Sequence, residues 1–126
     1  LLIVYASKTG NVERFVQKLG FRRLRLASGE EEVAEPCLLL TYTTGFGQAP
    51  EEVLRFVEHN RPHIRGVAVS GNRNWGSNFA RAGDVLAERY GLIVVHRFEL
   101  AGTARDVAIV KEVIGALSRA QQCGAA

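Results

Sequence analysis

The chain has 126 residues, 47% hydrophobic and 23% charged, the proportions of an ordinary globular domain rather than a disordered, collagenous or coiled-coil chain. Folding at this length buries about two-thirds of the unfolded surface, so a core forms without disulfides or a structural metal, and one domain over residues 1–126 is expected. With 16 basic and 13 acidic residues the net charge is +3, too little to indicate nucleic-acid binding, and no apolar run approaches the roughly 18 residues of a membrane helix.

Leu1 to Tyr5 reads as a buried strand, too short and too β-rich for a helix. After Ser7-Lys8-Thr9-Gly10, Asn11 is the expected N-cap of a helix whose inner face is Val12, Phe15, Val16 and Leu19, ended by Gly20. Arg22 to Leu26 alternates basic and apolar residues, as a short edge strand does when its charges deter wrong pairing. The cluster Glu30, Glu31, Glu32 and Glu35 reads as a surface loop. Cys37 to Tyr42 is a second buried strand, followed by the loop Thr43 to Ala49. Pro50 is placed at the first helical position, with Glu51 and Glu52 complementing the dipole and Val53, Phe56 and Val57 facing inward.

Gly66 to Gly71 reads as a strand and Asn72 to Ser77 as a polar loop. Phe79, Ala82, Gly83, Leu86 and Tyr90 mark a third helix, and Leu92 to Phe98 a fifth strand. Thr103 and Asp106 form a capping box ahead of Val107, Val110, Ile114 and Leu117. Strands alternating with helices imply right-handed crossovers and a parallel sheet covered on both faces. The edge character of the second strand favours the order 2-1-3-4-5, a doubly wound five-stranded α/β sheet. Ligands in such a sheet bind beyond the carboxyl ends of the strands, at the switch point between strands one and three.

Three loops meet there. Ser7 to Asn11 offers two hydroxyls, a flexible glycine and a helix N-terminus, whose amides and dipole suit a phosphate. It has neither the nucleotide-triphosphate pattern GxxxxGK[ST] nor the dinucleotide turn GxGxxG; an ordinary capped helix start would use the same residues. The second loop places Gly45 and Gly47 around Phe46, so the backbone can approach a flat ligand and a peptide can flip; alone it reads equally as a strand-to-helix turn. The third, Asn72-Arg73-Asn74-Trp75-Gly76, carries the only tryptophan, a stacking platform in a polar setting, with a Trp folded over the core as the alternative. Together a phosphate cradle, a glycine hinge and an aromatic plate describe a site for a phosphorylated flat ring, and FMN fits best.

None of the three loops contains Asp or Glu. Carboxylates near a flavin penalise its anionic, fully reduced form. The two one-electron steps are therefore expected to lie closer together than in an acid-rimmed site; a redox titration with a very low second potential would contradict this.

Ser70-Gly71-Asn72-Arg73-Asn74-Trp75-Gly76, Arg97-Phe98-Glu99-Leu100-Ala101-Gly102-Thr103 and Thr41-Tyr42-Thr43-Thr44-Gly45-Phe46-Gly47 together resemble the NrdI family, and the similarity runs from Leu1 to about Leu117. The resemblance implies a flavodoxin-like domain that binds FMN and serves a manganese-dependent class Ib ribonucleotide reductase. In that family reduced FMN reacts with dioxygen, and a superoxide-level oxidant reaches the dimanganese site of the reductase small subunit to generate its tyrosyl radical. The implied partners are that subunit, dioxygen and a reductase or other reduced electron donor, with no nucleic acid or membrane. By the same resemblance the phosphate loop falls on Ser7, Lys8, Thr9, Gly10 and Asn11, with Lys8 helping to hold the phosphate. The loop beside the flavin N5, with its flipping peptide, falls on Thr43, Thr44, Gly45, Phe46 and Gly47, in the short form of some Gram-positive members. The loop along the ring falls on Asn72, Arg73, Asn74, Trp75 and Gly76, with Trp75 stacking and Arg73 at the rim. No side chain is expected to act as acid, base or metal ligand, since the flavin carries the chemistry.

The remaining residues have plainer readings. His59, His63 and His96 are dispersed without metal-ligand spacing. Cys37 and Cys123 make no disulfide framework, which suits a reduced, cytoplasmic chain, and Cys37 is expected to pack in the core. The apolar opening has no basic leader, unlike a signal peptide. Arg22, Arg23 and Arg25 are expected on a solvated edge, with partner docking as the lesser alternative. A general electron-transfer flavodoxin is the alternative function, disfavoured by the basic charge and the Gly71 to Gly76 motif; a receiver-like signalling domain would need acidic residues after the first strand, where Tyr5-Ala6-Ser7 supplies none.

Overall fold

The computed structural model describes residues 1–44, 47–72 and 80–124. Five strands, β1 (Leu2–Tyr5), β2 (Arg23–Arg25), β3 (Cys37–Tyr42), β4 (Ile64–Gly71) and β5 (Val94–Glu99), alternate with α1 (Asn11–Leu19), α2 (Glu51–Asn60), α3 (Ala82–Tyr90) and α4 (Ala104–Gly124). Among the described residues the four pairings between these strands are parallel and the sheet order is 2-1-3-4-5, as expected. Among the described residues no helix is long and apolar enough to cross a membrane.

The alternation of side chains along each strand splits the core in two. Val4, Cys37, Leu39, Val67 and Val69 point to one face, where Val53, Phe56 and Val57 of α2 and Leu86 of α3 cover them. Ile3, Tyr5, Leu38, Leu40 and Ala68 point to the other, under Val12, Phe15 and Val16 of α1 and Val107, Val110 and Ile114 of α4. Cys37 is fully buried in the first layer, and burial pushes its thiol up to about 12.

Several element ends differ from the expected ones. Pro50 is the N-cap of α2, in extended conformation, rather than its first helical residue. β4 starts two residues early, at Ile64, because the short 3-10 turn Arg61–His63 delivers the chain directly into the sheet. β5 begins at Val94 rather than Leu92: Gly91 ends α3 in the left-handed region, and Leu92 turns into the core before pairing starts. Phe79, expected on α3, lies outside the described residues.

The capping box forms. The Asp106 carboxylate accepts the Thr103 amide at 2.8 Å and hydroxyl at 3.0 Å, Thr103 Oγ1 accepts the Asp106 amide at 3.2 Å, and His96 Nε2 sits 2.8 Å from the other carboxylate oxygen. Burial works to raise the Asp106 carboxyl, but the hydrogen bonds from Thr103 and His96 outweigh it and hold the group below its usual 3.8. A carboxyl depressed on folding adds stability above its unfolded value and loses it as pH falls through the folded one. Asp106→Asn is therefore expected to cost about 1 kcal/mol near neutrality, with the gap to the parent narrowing in urea melts taken below the unfolded value of 3.8.

Candidate functional site

The first loop leaves β1 at Ala6 and enters α1 through Gly10, at φ +88°. Asn11 is not the cap but the first helical residue, because Gly10 makes the left-handed entry and Asn11 Oδ1 is taken by the Arg14 guanidinium. The capping hydroxyl comes from further back: Ser7 Oγ accepts the Glu13 amide at 3.2 Å. Lys8 and Thr9 are exposed. Arg25, on the neighbouring edge strand, donates to the Ser7 carbonyl at 2.9 Å and to Glu13 Oε1 at 3.0 Å, and Tyr5 donates to the same Glu13 oxygen at 3.1 Å. Arg25, exposed on the edge strand as expected, thus also braces the loop. The signal was available, since the order 2-1 puts Arg25 opposite Tyr5.

The second loop is tied at its base. The Thr44 amide donates to the Gln48 carbonyl at 2.8 Å, and the Gln48 and Gly47 amides return to the Thr44 carbonyl at 2.9 and 3.0 Å. Gly47 has φ +93°, and a Cβ there would lie 2.6 Å from Arg81 Cδ, so only glycine fits. Thr43 points inward, donating to the Ser70 carbonyl at 3.2 Å and accepting the Ala82 amide at 3.4 Å. Gly45 and Phe46 lie outside the described residues, as do Arg73, Asn74, Trp75 and Gly76 of the third loop, of which Asn72 is described. The far end of that loop is anchored at Ala80, whose carbonyl accepts from Arg97 at 3.0 Å while Arg97 also pairs with Asp84 at 2.7 Å.

A cleft of about 380 Å³ opens at the carboxyl edge of the sheet, within the size range of small-molecule sites. It brings together Ser7, Lys8, Thr9 and Asn11 from the first loop, Thr43 and Thr44 from the second, and Asn72 from the third, with Val12, Tyr42, Ser70 and Gly71 between them. A fourth wall, unforeseen, is Leu100 on the turn after β5. None of the described lining residues is acidic, but Glu52 stands just behind Tyr42, accepting its hydroxyl proton at 3.0 Å. Burial, then this hydrogen bond and the charge of Glu52, push the Tyr42 phenol up to about 12, so it remains a donor. Tyr42 and Thr44 also border a second, more polar hollow of about 540 Å³ that reaches Gln48, Glu51 and Arg89. Among the described residues no group of three His, Cys, Asp or Glu side chains could hold a metal ion.

Order 2-1-3-4-5 with a cleft at the β1/β3 switch point defines a flavodoxin-like domain. Oxidised flavodoxin 2 from Bacillus cereus superposes with a TM-score of 0.70 at 24% identity, covering 94% of this chain and 97% of that one. Oxidised flavodoxin 1 from Bacillus cereus gives 0.63 at 19% identity, covering 89% and 92%. These likenesses speak for the fold. The family model described as NrdI flavodoxin-like matches residues 3–112, and Protein NrdI of Bacillus licheniformis is 47% identical over 112 residues, 89% of this chain and 86% of that protein. The chain belongs to the NrdI flavodoxin-like family, and a flavodoxin-like family implies a flavin cofactor.

Proposed function

We propose that this chain is a single-domain cytoplasmic FMN protein that activates the small subunit of a class Ib ribonucleotide reductase. Membership of the NrdI family over residues 3–112 is the observation that carries the reading. The cleft is compatible with FMN: Ser7, Lys8 and Thr9, with Asn11 and Val12 at the start of α1, are among its lining residues, a polar set that suits a phosphate. When bound, the reduced flavin supplies the electrons that turn dioxygen into a superoxide-level oxidant for a dimanganese-tyrosyl radical site. The protein's own part is to hold and orient. Ser7 to Asn11 would hold the phosphate, Thr43 to Gly47 and Asn72 to Gly76 would flank the ring, with Trp75 stacking, and Tyr42 would keep its proton beside it.

The test is the visible spectrum of the FMN-loaded protein during anaerobic reductive titration and after admission of air, followed by paramagnetic resonance of a manganese-loaded class Ib small subunit mixed with it. Bands that bleach, return rapidly in air and accompany a tyrosyl radical are the expected result. Slow reaction with air and efficient one-electron donation would instead identify a general electron carrier, and no flavin uptake would remove both. Because Arg25 braces the Ser7 carbonyl from outside the cleft, Arg25→Ala is expected to weaken FMN about threefold. Riboflavin, which lacks the phosphate, should bind as before, and Arg25→Lys should recover part of the loss in the same fluorescence titration.

A further inference from the structure

The segment Arg97 to Thr103 is more elaborately held than a simple strand-to-helix connection requires. Arg97 anchors the Ala80 carbonyl, Phe98 stacks on Phe15 with ring centroids 4.1 Å apart, and Thr103 caps α4. Leu100 alone among the large apolar residues of this segment is turned outward, 45% exposed and lining the cleft. Its φ is +53°, a left-handed conformation that glycine adopts freely and a residue with a Cβ does not. The conformation is fixed from both sides: the Leu100 amide donates to the Gly71 carbonyl at 3.0 Å, and its carbonyl accepts from the Ser70 hydroxyl at 2.6 Å. Below it the turn closes through the Gly102 amide to the Glu99 carbonyl at 2.8 Å, and Gly102 packs so tightly that a Cβ would lie 2.6 Å from Phe15.

Glycine would adopt this conformation without strain, and strain of this kind gathers at ligand clamps. We propose that Leu100 is an apolar contact for the part of the cofactor that FMN and riboflavin share, the isoalloxazine ring and ribityl chain, and that the turn is built to present it. The inference rests on the flavin reading above. Fluorescence titration of the wild type, Leu100→Ala and Leu100→Gly with FMN and with riboflavin tests it, alongside thermal unfolding of each flavin-free protein. Leu100→Gly should weaken both flavins about tenfold and in the same proportion, while its flavin-free midpoint holds or rises because the strain is relieved. Leu100→Ala should weaken both flavins without that relief. Unchanged affinity in both variants, a loss confined to FMN, or a clear fall in the flavin-free midpoint of Leu100→Gly would each overturn the proposal. A wild type that takes up neither flavin would overturn the cofactor reading itself, and this inference with it.

Discussion

Phe15→Ala is expected to lower the unfolding free energy by about 3–5 kcal/mol, the range for emptying a buried aromatic site. Phe15 is fully buried on the inner face of α1, stacked on Phe98 and in contact with the turn at Gly102. Its neighbours cannot close the gap, because Phe98 belongs to β5 and Gly102 is held by the hydrogen bonds of its own turn. Urea unfolding at pH 7 reads the change as a lower midpoint at nearly constant slope. Phe15→Leu, which keeps most of the volume, should lose less than half as much. Equal losses in the two variants would show that backbone rearrangement rather than the cavity sets the cost.

Asn60→Ala should be nearly as damaging, at about 3 kcal/mol, although it removes a polar side chain of modest size. Asn60 is 2% exposed at the end of α2. Its Oδ1 accepts the Val33 amide at 2.9 Å, and its Nδ2 donates to the Glu31 carbonyl at 2.8 Å and the Phe56 carbonyl at 3.0 Å. Truncation strips partners from the Val33 amide and the Glu31 carbonyl, both in a stretch without regular structure of its own. Amide hydrogen exchange should show the loss concentrated in residues 27–36, with α2 itself little affected. Uniform acceleration across the sheet would place the damage in the core instead.

The sheet was legible because it is parallel and covered on both faces, so its inner strands are mostly apolar runs, and the expected bounds of β3 are the observed ones. The ends of elements were less legible where a single residue decides them. Asn11 carries a strong capping side chain next to the helix, yet the positive φ of Gly10 and the Ser7 hydroxyl settle the start of α1. The glutamate-rich segment shows in sequence only as a surface loop; its ordering by Asn60 depends on partners 27 and 29 residues away, which no local pattern records. In the site, the loops following β1 and β3 were visible because glycine, serine and threonine advertise themselves. Leu100 was not, since a leucine gives no sign in sequence that it will be held left-handed. Arg25 shows in sequence only its own strand's alternation, whereas its partners, the Ser7 carbonyl and Glu13, lie in the loop and helix that follow the neighbouring strand.

The burial of Cys37 acquires a further meaning at the level of wear. The sequence contains no methionine, and Cys37 begins β3, at the end of the sheet opposite the cleft. A thiol held protonated up to about 12 is a poor nucleophile toward peroxide. Under the proposed function, in which oxidant forms at the carboxyl edge, the sulfur of Cys37 is thereby both distant from that oxidant and slow to react with it.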